Sequence, residues 1–84
     1  MQFTYPAAFH AETEGGYSIS FPDIAGCYSQ CETITDGKIM AADALTLMLH
    51  NMQDNKSIFP TPTPFSEIQK RYPKDIILFI TADI

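Results

Sequence analysis

The chain has 84 residues and 45% apolar content, including six Phe and four Tyr, so it holds one small domain with apolar mass for one core. Two cysteines are too few for a disulfide scaffold, and no run of about 18 apolar residues offers a bilayer-spanning helix. Ten acids oppose five bases unevenly, with −6 over residues 1–55 and +1 over residues 56–84, so the larger part repels phosphate backbones and attracts a basic partner.

The N-terminus, Met1-Gln2-Phe3-Thr4-Tyr5-Pro6, lacks the basic and apolar regions of a signal peptide, and the chain is expected to be cytoplasmic. Residues 2–10 alternate, with Phe3, Tyr5, Ala7 and Phe9 on one face, the period of a half-buried strand. Pro6 has no N–H to donate and marks an unpaired or bulged site there. Glu12-Thr13-Glu14-Gly15-Gly16 reads as a turn, and Tyr17-Ser18-Ile19-Ser20-Phe21 alternates again, which predicts a hairpin. Pro22 to Gly26 interrupts the pairing, and Cys27 to Glu32 resumes as a third short strand.

Thr33 and Asp36 form a weak capping box at the head of an amphipathic helix over about residues 34–52. Its buried stripe is expected to be Ile34, Ala41, Leu45, Met48 and Met52, widened by Ala44 and Leu49. Residues 54–74 hold four of the six prolines and read as an extended surface stretch with one helical turn near Ser66–Arg71. Residues 75–82 are apolar on both faces, as in a strand covered on both sides. The order strand, strand, strand, helix, strand predicts an α+β domain, with a mainly antiparallel sheet and one helix packed on one face. The crossover is right-handed if its flanking strands are parallel.

Few residues invite chemistry. Cys27 and Cys31, four apart in a strand, share a face about 13 Å apart and cannot bond to one another. Together with His10 and His50 they lack zinc-ligand spacing, and both read as reduced thiols. Each histidine reads as a solvated side chain with no carboxylate or nucleophile in a recognisable arrangement beside it. Gly15-Gly16 lacks the Lys-Ser/Thr of a phosphate loop, and Lys70, Arg71 and Lys74 read as a solubility feature. No cofactor and no metal are expected, and the chain does not read as an enzyme. Ile77 and Phe79 face away from Ile76, Leu78 and Ile80, on the side that a single helix leaves bare. They are therefore the expected contact of a homodimer or tetramer.

Several segments together resemble the HicB-like antitoxin family. They are Tyr5-Pro6-Ala7, the run Gly15-Gly16-Tyr17-Ser18-Ile19-Ser20-Phe21-Pro22-Asp23-Ile24-Ala25-Gly26-Cys27, Glu32-Thr33-Ile34, Ala44-Leu45-Thr46-Leu47, and the closing Thr81-Ala82-Asp83-Ile84. The resemblance implies a partial RNase H-like fold, βββαβ, and a non-enzymatic antitoxin. Its partner would be a small basic HicA-type mRNA interferase whose catalytic histidine it covers. Gly37 and Lys38 depart from the Ala and Leu usual in the family's helix and are expected to weaken its first turn. Ile84 falls where the family's C-terminal DNA-binding module would begin, so residues 1–84 are expected to be the toxin-binding part of a longer regulator. Operator DNA would be contacted only through that further module.

The expected toxin contacts are Glu12, Glu14, Asp23 and Glu32 on turns, with Tyr28 and Gln30 on the third-strand face opposite the cysteines. Phe21, Pro22, Asp23 and Gly26 are also expected to shape the bend between strands two and three. Two other readings stay open: a small RNase H-like metal-dependent hydrolase, and an oligomeric scaffold with no toxin partner.

Overall fold

In a computed structural model describing residues 1–84, the alternating N-terminal segment forms the longest strand, β1 (Gln2–Ala11), at the interior of a four-stranded sheet. The other elements are β2 (Tyr17–Ser20), β3 (Tyr28–Cys31), α1 (Ile34–Asp54), α2 (Phe65–Arg71) and β4 (Ile76–Asp83). The strand order is β3-β2-β1-β4, and every neighbouring pair is antiparallel. The fold is therefore α+β, as the element order predicts. β3 and β4 occupy opposite edges and run antiparallel to one another, so the handedness rule for parallel crossovers does not apply.

Pro6 sits opposite Phe79 of β4, while β2 pairs with β1 only from Ala8 onward. Its missing N–H thus falls where no ladder bond is required, as expected from the sequence.

One face of the sheet carries the main core. Tyr5, Ala7, Phe9 and Ile19 pack there with Ala41, Leu45 and Leu49 of α1, and all are at most 1% exposed. The most deeply buried positions of α1 are Gly37, Ala41, Leu45 and Leu49, spaced by four, while Met48 and Met52 are half-buried beside them. Thr33 caps the helix by accepting a hydrogen bond from the Asp36 N–H at 3.2 Å.

Gly37 does not act as a weak first-turn residue here. A Cβ at that position would lie 2.6 Å from Cys31 Sγ and 2.7 Å from Phe9 Cε2, so glycine is what lets α1 rest directly on β1 and β3.

The opposite face departs from the one-helix expectation. α2 lies on it, and its Ile68, 0% exposed, forms a second small core with Ala8 and Ile77. Ile77 is therefore 8% exposed, covered by its own chain rather than open for a second one, whereas Phe79 remains 44% exposed.

The Pro-rich segment between the helices is also tied down. Phe59 stacks edge-to-face on Phe3 at 4.8 Å. The Tyr5 hydroxyl donates to the Pro60 carbonyl at 2.7 Å, and the Asp23 carboxylate accepts from both the N–H and the hydroxyl of Thr63. These anchors, far apart in sequence, account for a long irregular stretch in a small domain. No helix is long and apolar enough to cross a membrane.

Candidate functional site

The most elaborated surface lies around β3, where a turn, a loop and a helix start converge. The β1–β2 turn closes with hydrogen bonds from Glu12 N to Gly16 O (3.1 Å) and from Gly15 N to Glu12 O (3.0 Å). Gly15 and Gly16 adopt φ of 102° and 74°, and a Cβ on Gly16 would sit 2.6 Å from the Cys31 carbonyl oxygen. The turn can therefore press against the end of β3 only with glycine there. The loop into β3 is pinned by Phe21 N to Cys27 O, Ile24 N to Phe21 O and Cys27 N to Ile24 O, with Ile24 plugged into the core at 2% exposure. Residues 21–27 thus shape the bend, as expected of Phe21, Pro22, Asp23 and Gly26.

Two adjoining grooves of about 380 and 330 Å³ run between the hairpin turn, β3 and the first turns of α1. They share Gln30, Cys31, Glu32 and Met40. Glu12, Glu32 and Asp36 supply the acidic rim, while Cys31, Ile39 and Met40 supply apolar surface. Ile39 and Met40 are 62% and 45% exposed, an unusual presentation of large apolar side chains beside three carboxylates. The Ser18 hydroxyl donates to a Glu12 carboxylate oxygen and fixes that acid against β2. Such a surface suits a partner with basic side chains around an apolar centre.

The site has no nucleophile poised for reaction. Burial pushes the Cys27 thiol up to about 11. Cys31 is raised by burial and then by the nearby Asp36 and Glu32 carboxylates, so both free thiols are protonated at neutral pH. No group of three or more His, Cys, Asp and Glu side chains is arranged to hold a metal ion. His10 differs from the sequence reading: its Nδ1 lies 2.7 Å from an Asp75 carboxylate oxygen, a partner 65 residues away. That hydrogen bond and charge hold the imidazole above its ordinary value, but no nucleophile completes a catalytic set.

Of the six expected contacts, Glu12, Gln30 and Glu32 line the grooves together. Glu14 stands exposed on the turn outside them, and Tyr28 is 71% exposed on β3, also outside. Asp23 is half-buried, with both carboxylate oxygens engaged by Thr63, so it serves as an anchor for the Pro-rich segment. Asp36, Ile39 and Met40 were not among the expected contacts. Ile39 and Met40 fall outside the apolar stripe of α1, which is the signal in the sequence that marks them.

Comparison with known proteins places these features in a wider set. Residues 5–84 match the family model for the HicB-like antitoxin of bacterial toxin–antitoxin systems. Antitoxin HicB 1 of Photorhabdus laumondii is 39% identical over 64 residues, which cover 75% of this chain and 41% of that protein. Two solved structures share the fold. A chain of the toxin–antitoxin complex from Streptococcus pneumoniae superposes with a TM-score of 0.83 at 21% identity, covering 99% of this chain and 70% of that one. The N-terminal domain of the Burkholderia pseudomallei antitoxin HicB gives 0.82 at 21% identity, covering 98% of this chain and all of that one. The chain spans between 41% and 61% of the length of the curated relatives it matches.

Proposed function

The chain belongs to the HicB-like antitoxin family of bacterial toxin–antitoxin systems, and we propose that it binds and neutralises a small basic HicA-type mRNA interferase by occluding its active site. The observation that carries this reading is the acidic-rimmed, apolar groove at β3 and α1, where Glu12, Glu32 and Asp36 surround the exposed Ile39 and Met40. The carboxylates steer a basic toxin into place, and the apolar pair supplies the desolvated centre of the contact. Neutralisation is steric: the folded body covers the toxin's catalytic histidine and RNA path, and no residue of this chain performs chemistry.

In this reading residues 1–84 are a cytoplasmic toxin-binding domain built on a partial RNase H-like sheet. Operator DNA contacts belong to a separate module and to no residue described here.

The test is titration of the cognate toxin with the 84-residue chain, read by calorimetry and by RNA cleavage. Wild-type chain is expected to bind and to suppress cleavage, and the Glu32→Lys/Asp36→Lys pair to weaken binding at least about tenfold, about 1.4 kcal/mol. Full-strength binding by that pair would remove the groove from the mechanism. Cleavage of RNA by the chain alone would replace the antitoxin reading with the hydrolase one.

A further inference from the structure

Lys38 is the single base in residues 1–55, and no acid of its own chain holds it. It is exposed near the start of α1 and lines a groove of about 330 Å³ between that helix and β4, together with Ala42 and residues 78–81. The acids beside it in sequence and at the ends of β4 are engaged elsewhere. Asp36 lines the groove at the other edge of the sheet, while Asp75 and Asp83 are held by His10 and the N-terminal ammonium. The chain thus keeps an unpaired cation beside an apolar strand edge.

The backbone of that edge is open. The Ile84 N–H donates to the Met1 carbonyl at 2.9 Å in the register that pairs β1 with β4, and bonded pairs alternate along an antiparallel ladder. Ile76, Leu78, Ile80 and Ala82 therefore bond inward to β1, and the N–H and C=O groups of Ile77, Phe79 and Thr81 point outward. The two faces of the strand differ. Leu78 and Ile80 pack in the main core on the α1 side, whereas Thr81, whose hydroxyl bonds to that of Thr4, shares the other side with half-exposed Phe79.

We propose that this edge takes an extended acidic segment of another protein, added as a strand to β4 with a carboxylate on the Lys38 ammonium. A segment paired antiparallel, centred on Phe79, exchanges N–H and C=O groups with Ile77, Phe79 and Thr81. Its residues opposite Leu78 and Ile80 project over the α1 side, where Lys38 lies, so these are the positions for Glu or Asp. The residue opposite Phe79 sits on the other face and is β-branched or aromatic. Charge separates this occupant from its rivals. A basic segment would meet Lys38 with like charge, and a second β4, uncharged from Ile76 to Ala82, would bring it no acid. The net charge of −5 works against a polyanion, so a segment with two carboxylates fits better than a phosphate backbone. The acidic groove lies at the opposite edge of the sheet, and this inference stands whether or not the toxin reading does.

The experiment is NMR titration of the 84-residue chain with a capped Thr-Glu-Val-Glu-Thr peptide, followed at the backbone amides of Ile77, Phe79 and Thr81. Binding with a dissociation constant below about 1 mM is expected, with the largest shifts at these amides. A capped Thr-Lys-Val-Lys-Thr peptide is expected to bind at least about fivefold more weakly, and Lys38→Glu, checked for folding by circular dichroism, to reverse that order. The ladder parity has its own test in the peptide, independent of any protein variant. N-methylation of the Val, whose N–H faces Phe79, is expected to abolish binding. N-methylation of the Glu after it, whose N–H faces away, is expected to leave binding within about threefold. No shift at these amides up to about 5 mM peptide would overturn the proposal. So would equal affinity for the two peptides, tolerance of N-methylation at Val, or an edge closed by a second copy, seen in sedimentation as a dimer that excludes the peptide.

Discussion

The two edges of the sheet are built on different terms. β3 is four residues long, with acids around it and the start of α1 seated directly on it. β4 is eight residues long, uncharged from Ile76 to Ala82 between Asp75 and Asp83, and has outward backbone groups beside a groove. Short, charged, covered edges resist strand addition, and long apolar ones invite it. The difference teaches that one small sheet can offer two kinds of recognition. The β3 edge presents charged side chains, and the β4 edge presents backbone groups.

The largest expected effect tests what holds the β4 side together. Ile68 is wholly buried by α2 over Ala8 and Ile77, so Ile68→Ala should leave a cavity there and cost about 3 kcal/mol. Urea denaturation measures it. A loss below about 1 kcal/mol would mean that α2 is not an integral cover of this face, and the contrast between the edges would need redrawing.

The next effect is at the other edge, and its sign is the informative part. Alanine is a better helix former than glycine by about 1 kcal/mol, so propensity alone predicts that Gly37→Ala stabilises α1. The space beside Gly37 predicts the reverse, because the added methyl would meet Cys31 and Phe9 well inside contact distance. We expect a net loss of about 1–3 kcal/mol by the same denaturation measurement. A gain would show that the seat of α1 on β3 is loose and that the acidic groove is not rigidly presented.

Much of this architecture is legible in the residues themselves. Alternation marks β1 and β2, Gly15-Gly16 marks the hairpin, and the heptad-like apolar stripe marks α1, because each is a local pattern with its own period. The unpaired site at Pro6 follows from its chemistry alone. What the sequence does not reveal depends on contacts between distant segments. Asp23 reads as a free turn acid until Thr63, 40 residues later, takes both its oxygens. Ile77 reads as bare until a seven-residue helix in a Pro-rich stretch lays Ile68 on it. Gly37 reads as a flaw when only helix propensity is weighed, since the side chains that require it lie on other strands. The candidate site was half visible for the same reason. Its acids at Glu12 and Glu32 stand out on turns, whereas Asp36, Ile39 and Met40 join them only once α1 is placed across β3.

The smallest expected effect concerns the end of β1, where His10 reaches across to Asp75 just ahead of β4. The hydrogen bond and charge of Asp75 raise the imidazole above its ordinary value of 6.5. A group whose folded value is raised contributes stability that is fully present below its unfolded value and disappears as pH rises through the folded one. Wild-type chain should therefore exceed Asp75→Asn in stability at pH values somewhat below 6.5, and this advantage should fade toward neutral and alkaline pH. The His10 side chain is 59% exposed, so solvent screens the pair and the stability difference should be slight. The proton NMR titration of the His10 ring is the sharper measurement. It should show a midpoint above 6.5 in the wild-type chain and a return toward that value in Asp75→Asn. An unshifted wild-type midpoint would mean that Asp75 is not held by His10, leaving its charge free at the end of the β4 edge. The β4 edge would then begin beside an unneutralised acid, and the electrostatic distinction between the two edges would narrow.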